Sequence, residues 1–327
     1  MRDQPWRELL AASELLEALA AQGLELSERT LRLHCAELGA AGLIERVGKR
    51  GYRLTPAGLE AARALAVQRR LGTVAARMES MVCQLTFDPR RRQGLASINA
   101  CVVRRSLLPT LLADLEAVYE SGLAVGDRVL IAEPGSEVLG RRVPETCVGI
   151  GTVCSLTIAA TLLAGGVPTQ LVGGALLGIV ERRPAHLLEL VRYDASSLSP
   201  NELFIRARLT SVIDAARCGE GRITASLREL PMSALPRLDE ALAACREAGL
   251  HGVLAVGKPG QTLLNAPLGE GRVGLLLATG LNPLAGLWER HLVSASDPDT
   301  ASPMVGPAEW QSLIPVRELR ARLARFL

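Results

Sequence analysis

Two stretches of this chain repeat each other in order, and nothing else in the sequence constrains its fold as much. Ala96-Ser97-Ile98-Asn99 is echoed by Ala225-Ser226-Leu227-Arg228, and each is followed by an amphipathic helix pattern ending alike, in Gly122-Leu123 and Gly249-Leu250. Glu133-Pro134-Gly135 returns as Lys258-Pro259-Gly260, and Val148-Gly149-Ile150-Gly151-Thr152 returns as Val273-Gly274-Leu275-Leu276-Leu277. The offset falls only from 129 to 125 residues, so the copies, about 83–165 and 222–290, stay in step. Each reads strand, helix, strand, glycine-rich turn, strand, then a second helix start, which argues for an α/β (α+β) architecture. The glycine after each first helix is a left-handed stop. Two like halves would pack pseudo-symmetrically around a cleft; two copies do not make a solenoid. The unduplicated part, 173–221, carries Gly173-Gly174 and apolar runs at 175–181, 191–193, 199–205 and 209–214, all predicted as strands and loops closing over that cleft.

The first quarter of the chain has a different grammar. Ser27 stands as an N-cap before a helix whose Leu31, Cys35 and Leu38 recur at i, i+4 and i+7, predicting a buried stripe. Arg29, Arg32, Leu33 and Ala36 fall on the opposite face. The runs 42–47 and 52–54 then flank a Gly48-Lys49-Arg50-Gly51 tip, and Thr55-Pro56 starts another helix. That order predicts a winged helix-turn-helix. Arginines near the start of a recognition helix meet base edges and can pair with guanine, and Arg46, Lys49, Arg50 and Arg53 on the ribbon would hold phosphates. A solvated basic hairpin on a protein-binding winged helix is the alternative. The stretch around 11–22 takes the place of the second helix and only about ten residues precede it, so a first helix is expected to be very short or to lie before the assigned start.

With 327 residues the chain can hold a winged helix (1–70) and a regulatory unit (71–327), and its net charge of +3 makes the basic signal local to the wing. Seven scattered cysteines without a C-x-x-C fit reduced thiols in a cytoplasmic protein, and four dispersed histidines give no metal-ligand spacing. The charge-free run from Thr146 to Val180 is long enough to span a bilayer but is broken by glycines and Pro168 and has no aromatic belt, so it is expected to be a buried strand–turn–helix.

Chemistry concentrates where apolar strands open into helices. Thr152, Cys154, Ser155 and Thr157 follow the first, and Asn282-Pro283, read as N-cap and first helical residue, follow the second. Helix starts offer free N–H groups and favour anions, so two of them could hold a dicarboxylate; two ordinary capped helices are the plain alternative. A thiol at a helix start can have a lowered pKa, yet no histidine stands in a catalytic motif beside Cys154. No cofactor is expected.

These residues together, with Leu85-Thr86-Phe87-Asp88 and Leu209-Thr210-Ser211-Val212, resemble the NrpR family of nitrogen-regulatory transcriptional repressors, over nearly the whole chain. The resemblance implies a non-enzymatic homodimer that binds palindromic double-stranded operator DNA and is released by 2-oxoglutarate. It implies DNA contacts by Ser27, Arg29, Thr30, Arg32, Arg46, Lys49, Arg50 and Arg53. It implies an effector site around Thr152, Cys154, Ser155 and Thr157, with Gly173, Gly174, Thr210, Ser211 and Asn282 as further members. A different effector, a redox input through Cys154, or a thiol-dependent enzyme are the rival readings.

Overall fold

The computed structural model describes residues 9–20, 26–48, 50–62, 74–293 and 303–326. Lys49 and everything before residue 9, where a first helix of the winged helix would fall, lie outside them. The chain forms two compact units, 1–72 and 73–327.

The first unit contains α1 (Ala12–Ala20), α2 (Glu28–Ala40), β1 (Ile44–Arg46), β2 (Tyr52–Leu54) and helical residues 56–62. β1 and β2 pair antiparallel with Glu45 opposite Arg53, and Leu10 exchanges backbone hydrogen bonds with Tyr52 on the free edge of β2. A Cβ at Gly51 would overlap the Leu10 carbonyl, so only glycine lets that strand-like segment close on the wing. Thr55 starts the last helix as a cap: its Oγ1 accepts from Gly58 N at 2.9 Å. In α2, Leu31 and Cys35 are buried as the spacing predicts, but Leu38 is 43% exposed and the stripe ends one turn early.

The second unit opens with α3 (Val74–Gln84) and continues through β3 (Leu95–Arg104), α4 (Leu108–Glu120), β4 (Arg128–Ala132), a small hairpin of β5 (Glu137–Val138) and β6 (Arg141–Arg142), β7 (Cys147–Val153), α5 (Ser155–Ala164), β8 (Gln170–Val180) and β9 (Arg183–Arg192). After α6 (Pro200–Arg206) and α7 (Val212–Cys218) come β10 (Gly221–Pro231), α8 (Leu235–Glu247), β11 (Val253–Val256), β12 (Arg272–Ala278), α9 (Gly286–Glu289), β13 (Met304–Glu309), β14 (Ile314–Pro315) and α10 (Leu319–Leu323). The strands make two five-stranded sheets, β13-β3-β7-β4-β14 and β11-β12-β10-β8-β9, antiparallel throughout.

The two halves exchange strands. β8, which follows the first half's second helix, pairs with β10 of the second half; β13, which follows the second half's, pairs with β3 of the first. Each sheet is therefore finished by a strand from beyond the other copy, and both apolar cores draw residues from both halves. The charge-free run becomes β7, α5 and β8, with β7 and most of α5 and β8 buried.

The ladders also correct the alignment of the repeat. Ile98 faces Val153 and Ala225 faces Ala278, so β3 and β10 correspond at an offset of 127, the same as α4 and α8. Ser97 then matches Thr224, Asn99 matches Ser226, and Cys101 matches Arg228. The sequence echo at 129 is slipped by two residues. A slip of two leaves every side chain on its own face of the sheet, so hydrophobic pattern cannot detect it.

Residues 199–205 and 209–214, predicted as strands and loops, enter the short helices α6 and α7 instead. The first N–H groups of α7, on Val212 and Ile213, donate to the Glu289 carboxylate at 2.7 and 3.2 Å. A partner far along the chain satisfies a helix start that local sequence leaves open.

Candidate functional site

On the first unit, Ser27 Oγ accepts from Thr30 N at 3.1 Å and meets Thr30 Oγ1 at 2.7 Å, so these two residues build the start of α2. Arg29 and Arg32 are exposed on its outer face. Arg32 also pairs with Glu28 at 2.5 Å, one turn back. Arg32, Arg46 and Arg50 line one concavity of ≈ 390 Å³ together with Glu28, Ser13 and Tyr52. Arg53 differs from them. It lies across the ribbon from Glu45, with Nε donating at 2.8 Å, and its charge is met inside the unit. Counting cations between 46 and 53 misses this pair because the acid sits one residue outside the window.

The second unit has a small, partly open cavity of ≈ 30 Å³ on the pseudo-twofold relation between its halves. Asn99 and its counterpart Ser226 line it, as do Cys154 with Thr279 and Leu156 with Leu281. Ser155, Leu171, Tyr193, Ser199, Asn201 and Met78 complete the wall, and these come from one side only. Gly280 stands where a Cβ would overlap Asn99 Oδ1 and the Val153 carbonyl, and Gly174 where one would come within 2.8 Å of Asn201 Oδ1. Both glycines let polar side chains reach the cavity.

Arg228 lies behind this wall, 3% exposed. Its Nη1 donates to Thr169 Oγ1 at 3.1 Å, while its Nε has no partner. Burial depresses its pKa to about 10, opposed by Tyr193, Cys154 and Glu79, so the guanidinium is still charged at neutral pH. Two further buried atoms on the cavity, Asn99 Oδ1 and Asn201 Oδ1, also lack partners. A buried cation with an unmet N–H is costly unless an anion joins it. Cys154 is no activated thiol: burial raises its pKa, and hydrogen bonds from Leu156 N, Ser97 and Ser155 offset that only in part. The helix start lowers it less than burial raises it.

Residues 71–296 match the family described as NrpR regulatory domains NRD1 and 2. The chain belongs to the NrpR family. NrpR domains are regulatory, which makes the chain a nitrogen-related transcriptional regulator and not an enzyme. Residues 6–61 match the Ribonuclease R winged-helix domain. The global nitrogen regulator NrpRI of Methanosarcina mazei is 28% identical over 289 residues, 88% of this chain and 89% of its own length. The NrpR of Methanocaldococcus jannaschii is 29% identical over 87% of this chain, which spans only 49% of that relative. A crystal structure of a nitrogen repressor-like protein from Methanococcus jannaschii superposes with a TM-score of 0.61 at 22% identity, covering 75% of this chain and 99% of that one, and shows the shared fold. No helix among the described residues is long and apolar enough to cross a membrane.

Within this NrpR regulatory unit, the residues singled out in the sequence separate into two groups. Cys154 and Ser155 line the cavity, and Gly174 backs it. Thr152, Thr157 and Asn282 hold the frame. Thr152 Oγ1 donates to the Asn99 and Gly280 carbonyls. Thr157 Oγ1 accepts from Ser97 N at 2.9 Å and bonds its carbonyl. Asn282 does the equivalent to Thr224, accepting from its N and Oγ1 and donating to its carbonyl. It does not cap its own helix, as the Asn-Pro sequence predicts, because its side chain is spent on β10. Gly173 packs against β9, near Val191, and Thr210-Ser211 lead into α7, away from the cavity. Arg228, Asn99, Asn201, Tyr193 and Ser226 were missed; the one sequence signal for them was that the repeat puts Asn99 and Arg228 in its most similar strand.

Proposed function

We propose that this chain is a cytosolic, homodimeric repressor of nitrogen-assimilation genes that grips operator DNA through its winged helix and lets go when 2-oxoglutarate binds the regulatory unit. The observation that carries the effector half is Arg228, a buried cation with an unpartnered N–H beside a cavity whose asparagine oxygens are also unpartnered. A carboxylate meets the first need and a hydroxyl or hydrated oxo group the second. The relatives are named nitrogen regulators, which favours a metabolite that reports nitrogen status. The DNA half rests on Arg29, Arg32, Arg46 and Arg50, which have no ion-pair partner among the described residues except Arg32 with Glu28. Two such units in a dimer would engage half-sites of a palindrome.

The test is calorimetric titration of the full chain with 2-oxoglutarate, with glutamate and succinate as controls, followed by operator binding with and without the ligand. Selective binding of the oxo acid, with weaker DNA binding in its presence, is expected. A folded protein that binds none of the three acids refutes the effector assignment and leaves the winged helix standing.

A further inference from the structure

The helix through which the chain enters the regulatory unit is built over the cavity. Val74, at its start, is fully buried against Leu171 and Tyr193. Val74 N donates to the Ser196 carbonyl at 2.8 Å and Arg77 Nη2 to the Ser197 carbonyl at 2.7 Å. Met78 projects into the cavity wall, and Met81 Sδ accepts from Ser97 Oγ at 3.4 Å. The next face of the same helix, Glu79, Val82 and Cys83, lines an open groove of ≈ 280 Å³ whose other walls include Thr169, Leu171, Arg228 and Arg272. Leu171 is common to both spaces.

The sizes decide what must move. A cavity of ≈ 30 Å³ has room for a water molecule or two, one water needing ~10–15 Å³ on this measure. A small dicarboxylate is several times larger. The groove outside is large enough, and it already holds two arginines, but α3 and Leu171 separate it from the asparagines and Cys154. Withdrawing α3 removes Met78 and joins the two spaces beside Arg228.

We propose that α3 is a ligand-operated lid, seated by Met78 in the cavity and by Glu79 beside Arg228 and Arg272, and that a ligand carboxylate taking Arg228 displaces Glu79 and releases the helix. Glu79 is a charge of the same kind as the ligand's, standing in the same groove. It also acts on Arg228 electrostatically, in the direction that keeps the guanidinium charged. Because the winged helix precedes α3 in the chain, release of α3 changes the tether of the DNA-binding unit. The lid as a response to a carboxylate rests on the effector reading above; the lid as a cover over Cys154 does not.

The test uses the full chain and peptide-resolved alkylation with N-ethylmaleimide. Cys154 lies under α3, Cys83 on it is exposed, and Cys101 and Cys147 are buried elsewhere in the same unit. Arg77→Ala and Glu79→Gln, neither of which touches an apolar core, are each expected to speed Cys154 modification at least five-fold without ligand, with Cys101 and Cys147 still protected. Saturating 2-oxoglutarate, which would itself cover Cys154, is expected instead to speed tryptic cleavage after Arg77, on the released helix of the unsubstituted protein. If Cys154 reacts no faster in either variant, there is no lid. If only Arg77→Ala speeds it, Glu79 is no latch and that part of the proposal fails. If the variants respond but 2-oxoglutarate neither binds nor acts, the lid stands and the effector identity fails.

Discussion

The two halves of the regulatory unit carry the same elements in the same order, yet of their matching strands β3 and β10 only the second holds a buried charge. Position for position, Asn99 faces Ser226, Cys154 faces Thr279, Ser155 faces Gly280, and Cys101 stands where the other half has Arg228. Both are buried, Cys101 on β3 and Arg228 on β10. The frame is symmetric in its fastenings as well: Thr157 clasps Ser97 as Asn282 clasps Thr224. The comparison teaches that duplication supplied a stable pseudo-twofold scaffold, and that a few unequal substitutions on its axis made a directional polar site. A ligand with two different ends suits such a site better than a symmetric one.

Arg228→Met is the largest intervention, because it makes the second half resemble the first. We expect 2-oxoglutarate binding to fall more than 100-fold, about 2.7 kcal/mol or more, while thermal unfolding stays level or rises, since losing a buried charge to a well-packed side chain is often neutral or stabilising. Unchanged calorimetric affinity would show the charge to be uninvolved. Asn282→Ala should cost about 2–4 kcal/mol in denaturant unfolding, because it removes side-chain bonds to the buried Thr224 N–H and carbonyl and to the Leu123 carbonyl, while the Thr224 hydroxyl keeps Thr279. Thr157→Val, its counterpart, loses fewer bonds and should cost about half as much; equal costs would mean that the two clasps are equivalent after all. Gly280→Ala should destabilise by about 1–3 kcal/mol, as its Cβ overlaps Asn99 and Val153, whereas Ser155→Ala in the other half should cost under about 1 kcal/mol. Similar losses at both sites would erase the asymmetry claimed for the cavity.

The smaller effects belong to the winged helix. Arg32→Ala should weaken operator binding by about 1–3 kcal/mol and relax its sequence preference; a uniform loss across sequences in a mobility-shift series would reassign Arg32 to phosphate. Glu45→Gln should release Arg53 and steepen the salt dependence of DNA binding by about one ion, with under about 1 kcal/mol lost from folding because the pair is half-exposed. No change in the salt slope would mean that Arg53 never reaches DNA.

Local sequence determined a good deal of this protein. Period, caps and turn glycines located α2 and its cap, the basic ribbon, the two strand–helix copies and the buried nature of the charge-free run, because those depend on neighbours a few residues away. The family resemblance came from the same local motifs. Tertiary structure decided the rest. Strand exchange between the copies is invisible in either copy alone, and the two-residue slip of the repeat survives any test based on alternation. Glu289 turns 212–218 into a helix from 71 or more residues away, and Asn282 is taken from its own helix by Thr224. Arg228 read as one more arginine in a strand; only folding buried it with its Nε unmet and set Asn99 and Asn201 nearby, their side-chain oxygens likewise without partners. A side chain's chemistry is written in the sequence, but the solvent and partners it loses are settled only when distant segments close around it.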